Sequence, residues 1–413
     1  MATSAYFNSS KMLQRLHEGP LGGYIDLYSS RLLKEGHCRQ SAWRCLRVVG
    51  DFSRWLAGKQ LDLRNVDEGM VGQYQAFRVD HRRPFQSDRP ALNRLLVVLR
   101  EVGAIAQKAP VRLTLHEQIF EDFRQYLDRE CGLASVTIIH HLSVVRRFLR
   151  EICVCGLGDF AKLGRADVTG YVERHAQDWS AATAKSMCWT LRAFLRYLLC
   201  KGLVSLDLAN CVPSVRHWRF SALPTYMSAG QVQQALDGCD RRTPIGRRDY
   251  AILILLARLG LRANEVATLT LDDVDWRSGQ MLIHGKGRQQ TQMPLPPDVG
   301  AAIAAYLQDG RPASDSRRMF LRDLAPNVGF TTSGAVSVIA RTALARAGVS
   351  GFAHQGAHLF RHSLATELLR SGATLTEIGQ LLRHRDHDTT RLYAKVDIGS
   401  LRTLGLPWPE AAQ

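Results

Sequence analysis

Apolar residues recur at three- and four-residue steps between Ala357 and Asp397, and this spacing constrains the fold more than any other feature of the chain. The apolar positions are Leu359, Leu364, Leu368, Leu369, Leu375, Ile378, Leu381 and Leu382. Such steps place the apolar side chains on one face of an α-helix. Because Ser371-Gly372-Ala373 is a turn signal in the middle of the stretch, we expect two amphipathic helices.

The polar residues of the same stretch suggest chemistry on a phosphate. His358 and Arg361 are three residues apart, so on a helix they share one face and can contact one anion together. Tyr393 follows among basic residues, and a phenol with a pKa near ~10 becomes a nucleophile where cations and proton acceptors favour the phenolate. Taken singly, the pair of His358 and Arg361 is also typical of a solvated helix face. A single tyrosine near the end of a chain is also typical of a half-buried core residue.

An arginine and a lysine earlier in the chain have settings that suit the same chemistry. The apolar run from Asp249 to Leu259 has helical length and ends at Gly260, so Arg262 starts the next helix, where backbone N–H groups also favour an anion. Two short apolar stretches flank Gly285-Lys286-Gly287, which predicts a β-hairpin whose turn presents the lysine. Taken alone, this residue would be an exposed turn lysine.

Together these motifs resemble the signature of the tyrosine recombinases, the phage-integrase and Xer-type site-specific recombinases. The family pattern is His-x-x-Arg-His-x-x-Ala-Thr, then Leu-Gly-His, then a Thr-rich approach to the nucleophilic tyrosine. The chain has HLFRHSLAT from His358, LLRH up to His384 and TTRLY up to Tyr393. Its segment from Arg247 to Trp276 resembles the first arginine box of the family.

The resemblance implies a nucleophilic tyrosine and a covalent protein–DNA intermediate. Tyr393 would attack a scissile DNA phosphate, form a 3′-phosphotyrosyl bond and expel a 5′-hydroxyl. A free 5′-hydroxyl of another strand can reverse this step, which gives recombination without ATP, metal ion or other cofactor. The implied catalytic residues are Tyr393, Arg262, Lys286, His358, Arg361 and His384, with Glu265 as a supporting residue.

The resemblance also implies how these residues divide the work. Arg262, Arg361 and His384 would donate to the non-bridging phosphate oxygens, where negative charge must be stabilised in the transition state. Lys286 would be the general acid for the leaving 5′-oxygen. His358 would hydrogen-bond the phosphate or take the tyrosine proton.

Three further residues lie within these motifs. Glu265 is expected to orient its neighbours, although a carboxylate on a helix surface fits the sequence nearly as well. His362 is expected to pack structurally. Arg383 replaces the glycine that is common before the late histidine of the family, and a large cation there would adjust the turn or add a phosphate contact.

Composition and charge favour a globular protein with a polyanionic partner. The 413 residues are 46% apolar and 22% charged, which suits two to three domains. The net charge is +16, and the first 220 residues carry 32 basic against 21 acidic residues, compared with 22 against 17 in the remainder. The excess therefore lies mainly in the N-terminal half, as expected if that half grips a DNA backbone.

The sequence gives no sign of a membrane segment, a secretory signal or a metal site. The longest apolar run, from Tyr250 to Ala257, is far too short to span a bilayer. No long basic amphipathic block supports binding to a membrane surface. The nine cysteines lack metal-ligand spacing and are interpreted as core thiols of a reducing compartment, so we expect a cytoplasmic, nucleoid-associated bacterial protein.

The N-terminal half contains two similar helical segments. At an offset of 96 residues, the aligned pairs include Gly36 with Gly132, Leu46 with Leu142 and Phe52 with Phe148. Duplication is one interpretation and generic helical periodicity is the other. The second segment resembles the core-binding domain of the family.

The predicted fold class is mainly α with a small β-hairpin or sheet, in which helical core-binding domains precede a mixed α+β catalytic domain. The expected division is residues 1–110 as an N-terminal helical module, which duplication would make a second SAM-like DNA-binding unit, 113–215 as the core-binding domain, 216–226 as a linker and 227–413 as the catalytic domain. Basic residues at helical spacing or in the linker are candidate DNA contacts: Arg146, Arg147, Arg150, Lys185, Arg192, Arg196, Arg216 and Arg219.

The expected partner is double-stranded DNA with a specific core site. On it we expect a homo- or hetero-tetramer whose C-terminal tails are exchanged between protomers, although a tail folded back on its own protomer fits the sequence equally well. Two other functions stay open, a type IB topoisomerase-like relaxing enzyme and a catalytically silent accessory subunit. A metal-dependent nuclease is disfavoured because no cluster of carboxylates accompanies the histidines.

Overall fold

A computed structural model describes residues 3, 6, 10–81, 85–108, 114–154, 160–216, 225–285, 287, 289–384 and 386–394. The described residues form seventeen α-helices and one three-stranded antiparallel sheet. This confirms the prediction of a mainly α fold with a small sheet. The chain divides into two compact units, one of residues 1–109 with 223–413 and the other of residues 110–222.

The N-terminal part of the first unit is a bundle of five helices. They are α1 (Ser10–Leu16), α2 (Ile25–Lys34), α3 (Arg39–Gly58), α4 (Glu68–His81) and α5 (Asp88–Glu101). The long helix α3 packs against α1, α2 and α5 around an apolar core that includes Tyr28 and Phe52. Beyond the end of α2, the carbonyl of Glu35 accepts a hydrogen bond from the backbone N–H of Asn327 at 3.0 Å, which joins this bundle to the rest of its unit.

The second unit is a bundle of four helices. They are α6 (Leu115–Arg129), α7 (Ser135–Val154), α8 (Arg165–Ala176) and α9 (Ala181–Cys200). Thr114 and Glu117 form a capping box that begins α6, and the Ser180 hydroxyl accepts from the N–H of Thr183 at the start of α9. Phe123, Phe148 and Phe194 fill the core between these helices.

The remaining elements follow the N-terminal bundle in the first unit. The helices are α10 (Ala229–Asp237), α11 (Pro244–Leu259), α12 (Ala263–Thr268), α13 (Pro297–Asp309), α14 (Gly334–Arg346), α15 (Ala357–Arg370), α16 (Leu375–Leu382) and α17 (His387–Ala394). The strands are β1 (Val274–Asp275), β2 (Gln280–His284) and β3 (Gln290–Pro294), paired antiparallel in that order.

Helix α11 is the centre of this part, and it is buried on nearly every side. It packs against α13 and α15. It begins after Thr243, whose hydroxyl accepts from the N–H of Gly246, and it ends at Gly260 in the left-handed conformation. The predicted end is confirmed, whereas the helix starts five residues before Asp249 because the capping signal lies outside the apolar run.

The hairpin and the C-terminal helices also match their predictions, with one addition. Strands β2 and β3 pair His284 with Gln290 next to the predicted turn, and Lys286 in that turn lies outside the described residues. The two expected amphipathic helices are α15 and α16, joined through Gly372 at φ +90°. Tyr393 lies on a third helix, α17, beyond the two that the apolar spacing predicts.

Two other expectations concern membranes and the linker. Among the described residues, no helix is long and apolar enough to cross a bilayer. The predicted linker falls largely on residues 217–224, so its Arg219 lies outside the described residues, as does the C-terminal tail after residue 394.

Candidate active site

Tyr393 is buried beside two histidines. Its side chain is 2% exposed, and its hydroxyl lies 2.9 Å from Nδ1 of His362 on α15. The ring of His384 stacks nearly parallel to the phenol, with 6.3 Å between ring centroids. Helix α17 therefore holds the candidate nucleophile against His362, a proton acceptor for which the sequence predicts only a packing role.

Arg361 joins the ends of two helices. Its guanidinium donates to the carbonyl of Gly260 at the end of α11 and to the carbonyl of Leu382 at the end of α16. The residue is 3% exposed. Carbonyls at the end of a helix have no partner within it, so a buried cation that satisfies both stabilises both ends. This contact brings the loop of Arg262 and the loop of His384 to one place.

Arg262 and Glu265 form a capping box with an added ion pair. Glu265 accepts from the backbone N–H of Arg262 at 2.9 Å and from its guanidinium at 2.8 Å. The carboxylate is 3% exposed and the arginine side chain 32%, so the arginine keeps one side open to solvent. Glu265 thus orients its neighbour, as one sequence interpretation had it. The expected anion-binding role of this N–H is not available, because the carboxylate occupies it.

Arg383 is the second partner of Glu265. It lies in the left-handed conformation at φ 56° and ψ 47°, where helices commonly have glycine. Its guanidinium donates to Glu265 at 2.9 Å, and it also contacts Met293 on β3. One carboxylate therefore fixes two arginines that are 121 residues apart in the chain.

Two further histidines, His358 and His384, are among the residues predicted for the site. Nδ1 of His384 is 2.8 Å from the hydroxyl of Thr390, so α17 also holds this ring. His358 lies at the exposed start of α15, and its ring centroid is 6.3 Å from that of His362. In the structure, the tyrosine hydroxyl contacts His362.

Burial and the surrounding guanidinium groups set the protonation of the site. Burial, followed by the neighbouring His358 and Arg361, lowers the pKa of His362 to about 4. Burial, followed by the charges of Arg361 and Arg262, likewise lowers the pKa of His384 to about 4. Both rings are therefore neutral at pH 7 and can accept a proton. Burial raises the pKa of Tyr393, and the charges of Arg361 and Arg262 oppose that rise. The resting tyrosine is consequently a neutral phenol.

A cavity of about 230 Å³ opens beside these residues. Arg262, Arg383 and His384 line one side of it, and Gly285 and Gln289 next to the hairpin turn line another. The structure thus brings Arg262, His384 and Arg361 to one site with Tyr393, whereas Lys286, next to Gly285 in the sequence, lies outside the described residues. In the described part of the chain, no group of three or more histidine, cysteine or carboxylate side chains is placed to hold a metal ion.

Sequence reasoning missed the contacts of His362, Arg383 and Thr390. The His362 contact had a weak signal, because a histidine at the fourth helical position after His358 stays on the same face. The Arg383 contact had a stronger one, since a bulky residue in place of a family glycine needs a compensating interaction.

The candidate DNA contacts in the second unit differ in their availability. The guanidinium of Arg146 lies over the ring of Phe120 at 4.5 Å, and that of Arg147 lies over Trp179 at 4.8 Å. Arg150, Lys185, Arg196 and Arg216 are exposed. Arg192 instead donates to the carbonyls of Val212 and Pro213, which ties down the end of the unit.

Two family models match this chain. The model of the phage integrase family matches residues 225–399, and that of the phage integrase N-terminal SAM-like domain matches residues 120–202. The chain therefore belongs to the phage integrase family, and the resemblance to tyrosine recombinases is confirmed.

Particular relatives agree with this assignment. The predicted integrase/recombinase y4rA of Sinorhizobium fredii is 41% identical over 99% of both chains. The tyrosine recombinase XerD of Listeria monocytogenes is 30% identical over 67% of this chain and 94% of its own length. Among solved structures, the XerH site-specific recombinase bound to palindromic difH substrate has a TM-score of 0.51 at 17% identity, covering 74% of this chain and 100% of that one. The last likeness concerns the fold.

Proposed function

We propose that this protein is a site-specific DNA recombinase that cuts and rejoins DNA strands through a 3′-phosphotyrosyl intermediate, without ATP or a metal ion. The observation that carries the proposal is the contact of the Tyr393 hydroxyl with a neutral imidazole, 2.9 Å away, beside two arginines in a chain of this family. An acceptor at that distance can take the phenolic proton as the oxygen attacks phosphorus.

The proposed forward step follows from this contact. The Tyr393 oxygen forms a bond to the scissile phosphorus while the bond from phosphorus to the 5′-oxygen breaks. The phenolic proton passes to Nδ1 of His362, and the leaving 5′-oxygen takes a proton from Lys286. His358, exposed at the start of the same helix, is then left to contact the phosphate. Rejoining is the reverse reaction with the 5′-hydroxyl of another strand.

Charge on the phosphate is stabilised by the arginines and His384. Arg262 has the exposed side that faces the cavity, so it is the guanidinium that reaches a non-bridging oxygen first. Arg361 lies behind it with two of its N–H groups already engaged, and it adds positive charge at short range. Glu265 holds the direction of Arg262 rather than exchanging a proton.

The partner in this proposal is double-stranded DNA with a specific core site. We propose the domain division 1–110, 113–215, 216–226 and 227–413, with the second range gripping the duplex. The exposed Arg150 and Arg196 and the stacked Arg146 and Arg147 support that part, since guanidinium groups suit phosphate contacts. Assembly as a tetramer with exchanged C-terminal tails belongs to the same proposal.

A suicide substrate tests the chemistry directly. Duplexes from the DNA flanking the gene, each nicked near the candidate cleavage point, are incubated in EDTA with wild type, Tyr393→Phe or the matched control Tyr250→Phe. We expect a covalent protein–DNA adduct with wild type and the control, and none with Tyr393→Phe. An adduct that survives Tyr393→Phe would refute the assignment of the nucleophile.

The same preparation separates the alternative functions. Exchange between two marked duplexes supports recombination, whereas relaxation of a supercoiled plasmid without exchange supports a topoisomerase-like enzyme. Binding without any adduct, on a duplex that the protein protects from nucleases, supports the silent accessory subunit.

A further inference from the structure

The first hundred residues repeat the architecture of the SAM-like unit. In both segments a helix precedes a 20-residue helix, and a 3₁₀ turn and two more helices follow. The long helices α3 and α7 have the same length and begin and end 96 residues apart. The family model of the SAM-like domain covers residues 120–202, so it leaves the first copy unassigned.

The buried positions of the two long helices coincide except at Gly50, which corresponds to the exposed Arg146. At the offset of 96, the buried pairs are Ala42 with Ile138, Cys45 with His141, Leu46 with Leu142, Val48 with Val144, Val49 with Val145, Phe52 with Phe148, Ser53 with Leu149 and Leu56 with Ile152. Generic periodicity gives helices with an apolar stripe, but it does not require the same stripe in two helices with the same ends. Duplication explains both.

The match continues between the helices. Phe52 packs on Tyr74 of α4 with 5.0 Å between ring centroids, and Phe148 packs on Tyr171 of α8 at the same 5.0 Å. On the last helices, Leu95 and Leu191 are again a buried pair at the offset of 96. The two bundles therefore share their core packing as well as their element order.

The first copy carries the larger excess of positive charge. Residues 1–108 contain 17 basic and 10 acidic residues, a net charge of +7, whereas residues 110–222 contain 15 and 11, a net charge of +4. Charge of this sign on a helical bundle favours a polyanion as the partner.

Two exposed arginines on α3 are arranged for phosphate contacts. The guanidinium of Arg47 lies over the ring of Trp43 at 5.3 Å, and that of Arg44 lies over Phe85 at 5.9 Å. Stacking on an aromatic ring restrains a guanidinium and leaves its N–H edge available to an acceptor. Arg146 and Arg147 on α7 are held in the same manner in the second unit.

These arginines border two adjoining grooves, and we call this surface the α3 face. One groove, of about 350 Å³, is lined by Arg15, Trp43, Arg47 and Arg54, and the other, of about 200 Å³, by Arg44, Arg47 and Phe85. Asp51 borders both, and it pairs with Arg54. The contacts of this bundle with the rest of its unit include the end of α2, through Glu35, which is not part of this surface.

We propose that residues 10–105 form a second SAM-like DNA-binding unit that grips the phosphates of a duplex through the α3 face, with Arg44 and Arg47 as its central contacts. The inference rests on the proposed function, because that function supplies DNA as the partner. The contacts are to the backbone, so they position the protein without reading sequence.

The test measures binding of the full chain to a non-specific duplex of about 40 base pairs over a range of salt concentrations. The test variant is Arg44→Ala with Arg47→Ala. The matched control is Lys59→Ala with Arg64→Ala, which removes the same charge from exposed residues that do not line the grooves. A third protein, Arg44→Lys with Arg47→Lys, keeps the charge.

We expect the test variant to bind roughly tenfold more weakly at low salt and to lower the slope of log K against log salt by about 2, since each phosphate contact contributes about 0.9. The control should keep the wild-type slope. The variant Arg44→Lys with Arg47→Lys should have most of the wild-type slope, because it keeps the charge. Circular dichroism establishes that each variant is folded.

An unchanged slope in the folded test variant would overturn the inference and leave the α3 face to a protein partner. An equal loss of affinity and slope in the Lys59→Ala, Arg64→Ala control would overturn the inference as well, because the effect would then reflect the total charge of the protein. The adduct assay keeps the two proposals separate: the α3 variants should form adducts at saturating protein, whereas Tyr393→Phe should bind the duplex normally and form none.

Discussion

Replacing Arg383 by glycine tests the tertiary role of this residue. The backbone at φ 56° disfavours a side chain, so glycine should relieve about 1 kcal/mol of strain. The same change removes the donor to Glu265 at 2.9 Å, in a pair whose side chains are 9% and 3% exposed. Loss of one member of a buried pair costs about 3 kcal/mol or more. Because Arg262 still holds the carboxylate, we expect the low end, and hence a net destabilisation of about 2 kcal/mol.

The destabilisation caused by Arg383→Gly should depend on pH, because it acts through the ionised carboxylate of Glu265. Burial raises the pKa of Glu265, but the charge of Arg383 and the hydrogen bonds of Arg262 outweigh burial and lower it. A carboxylate with a lowered pKa stabilises the fold above its unfolded pKa near ~4.3, and this stabilisation is lost as the pH falls through the folded value. The deficit of Arg383→Gly should therefore be complete at pH 7 and should shrink below about pH 4.

Calorimetry of the full chain at pH 7 and at a pH below about 4 measures the loss of stability, and Arg383→Ala provides the control. Alanine loses the same ion pair but keeps the backbone strain, so it should be about 1 kcal/mol less stable than the glycine variant. The rate of adduct formation should fall about tenfold in both, because Arg262 loses part of its support. If Arg383→Gly were as stable as wild type at pH 7, or its deficit were the same at both pH values, the tertiary role argued for Arg383 would be refuted.

Three further predictions concern the residues around the tyrosine. Since the pKa values of His362 and His384 are about 4, the cleavage rate should not fall between pH 7 and 5.5, and His362→Gln should slow cleavage about a hundredfold; an acid limb centred near ~6.5 would contradict this. Arg361→Lys should destabilise the protein by about 2–4 kcal/mol in thermal unfolding, because a lysine cannot reach both carbonyls; a change under about 1 kcal/mol would contradict it. Gly260→Ala should lower the melting temperature clearly more than Gly348→Ala. Both positions have positive φ, but an added Cβ at Gly260 would lie 2.6 Å from Leu382, whereas Gly348 faces open space. Equal melting temperatures of the two variants would contradict the packing argument.

Local sequence patterns predicted the helix ends and turns that form the scaffold of the site. The end of α11 at Gly260, the turn at Gly372 and the hairpin around Gly285 each depend on a few neighbouring residues. Helix α17 has no such signal. It is held by packing, as the close approach of Thr390 to Gly379 of α16 shows, and packing between helices is not visible in one short segment.

The polar contacts of the site could not be predicted in the same way. Glu265 and Arg383 are 118 residues apart, and the sequence allowed the carboxylate to lie on an exposed helix surface. Its burial depends on two cations that arrive from different loops. The choice of His362 over His358 as the contact of Tyr393 likewise depends on where α17 packs against α15, since both histidines lie on one helical face.

These contacts imply a division of labour among the three arginines. Arg361 and Arg383 are buried, and each is engaged with groups of the protein, so their first effect is to fix the loops that carry Arg262 and His384. Arg262 is the most exposed of the three and borders the cavity. A phosphate that enters the cavity thus meets a guanidinium whose direction has already been set by Glu265. Because the orientation is established before DNA binds, little of the binding energy is needed to organise the site, and more of it remains to stabilise the transition state.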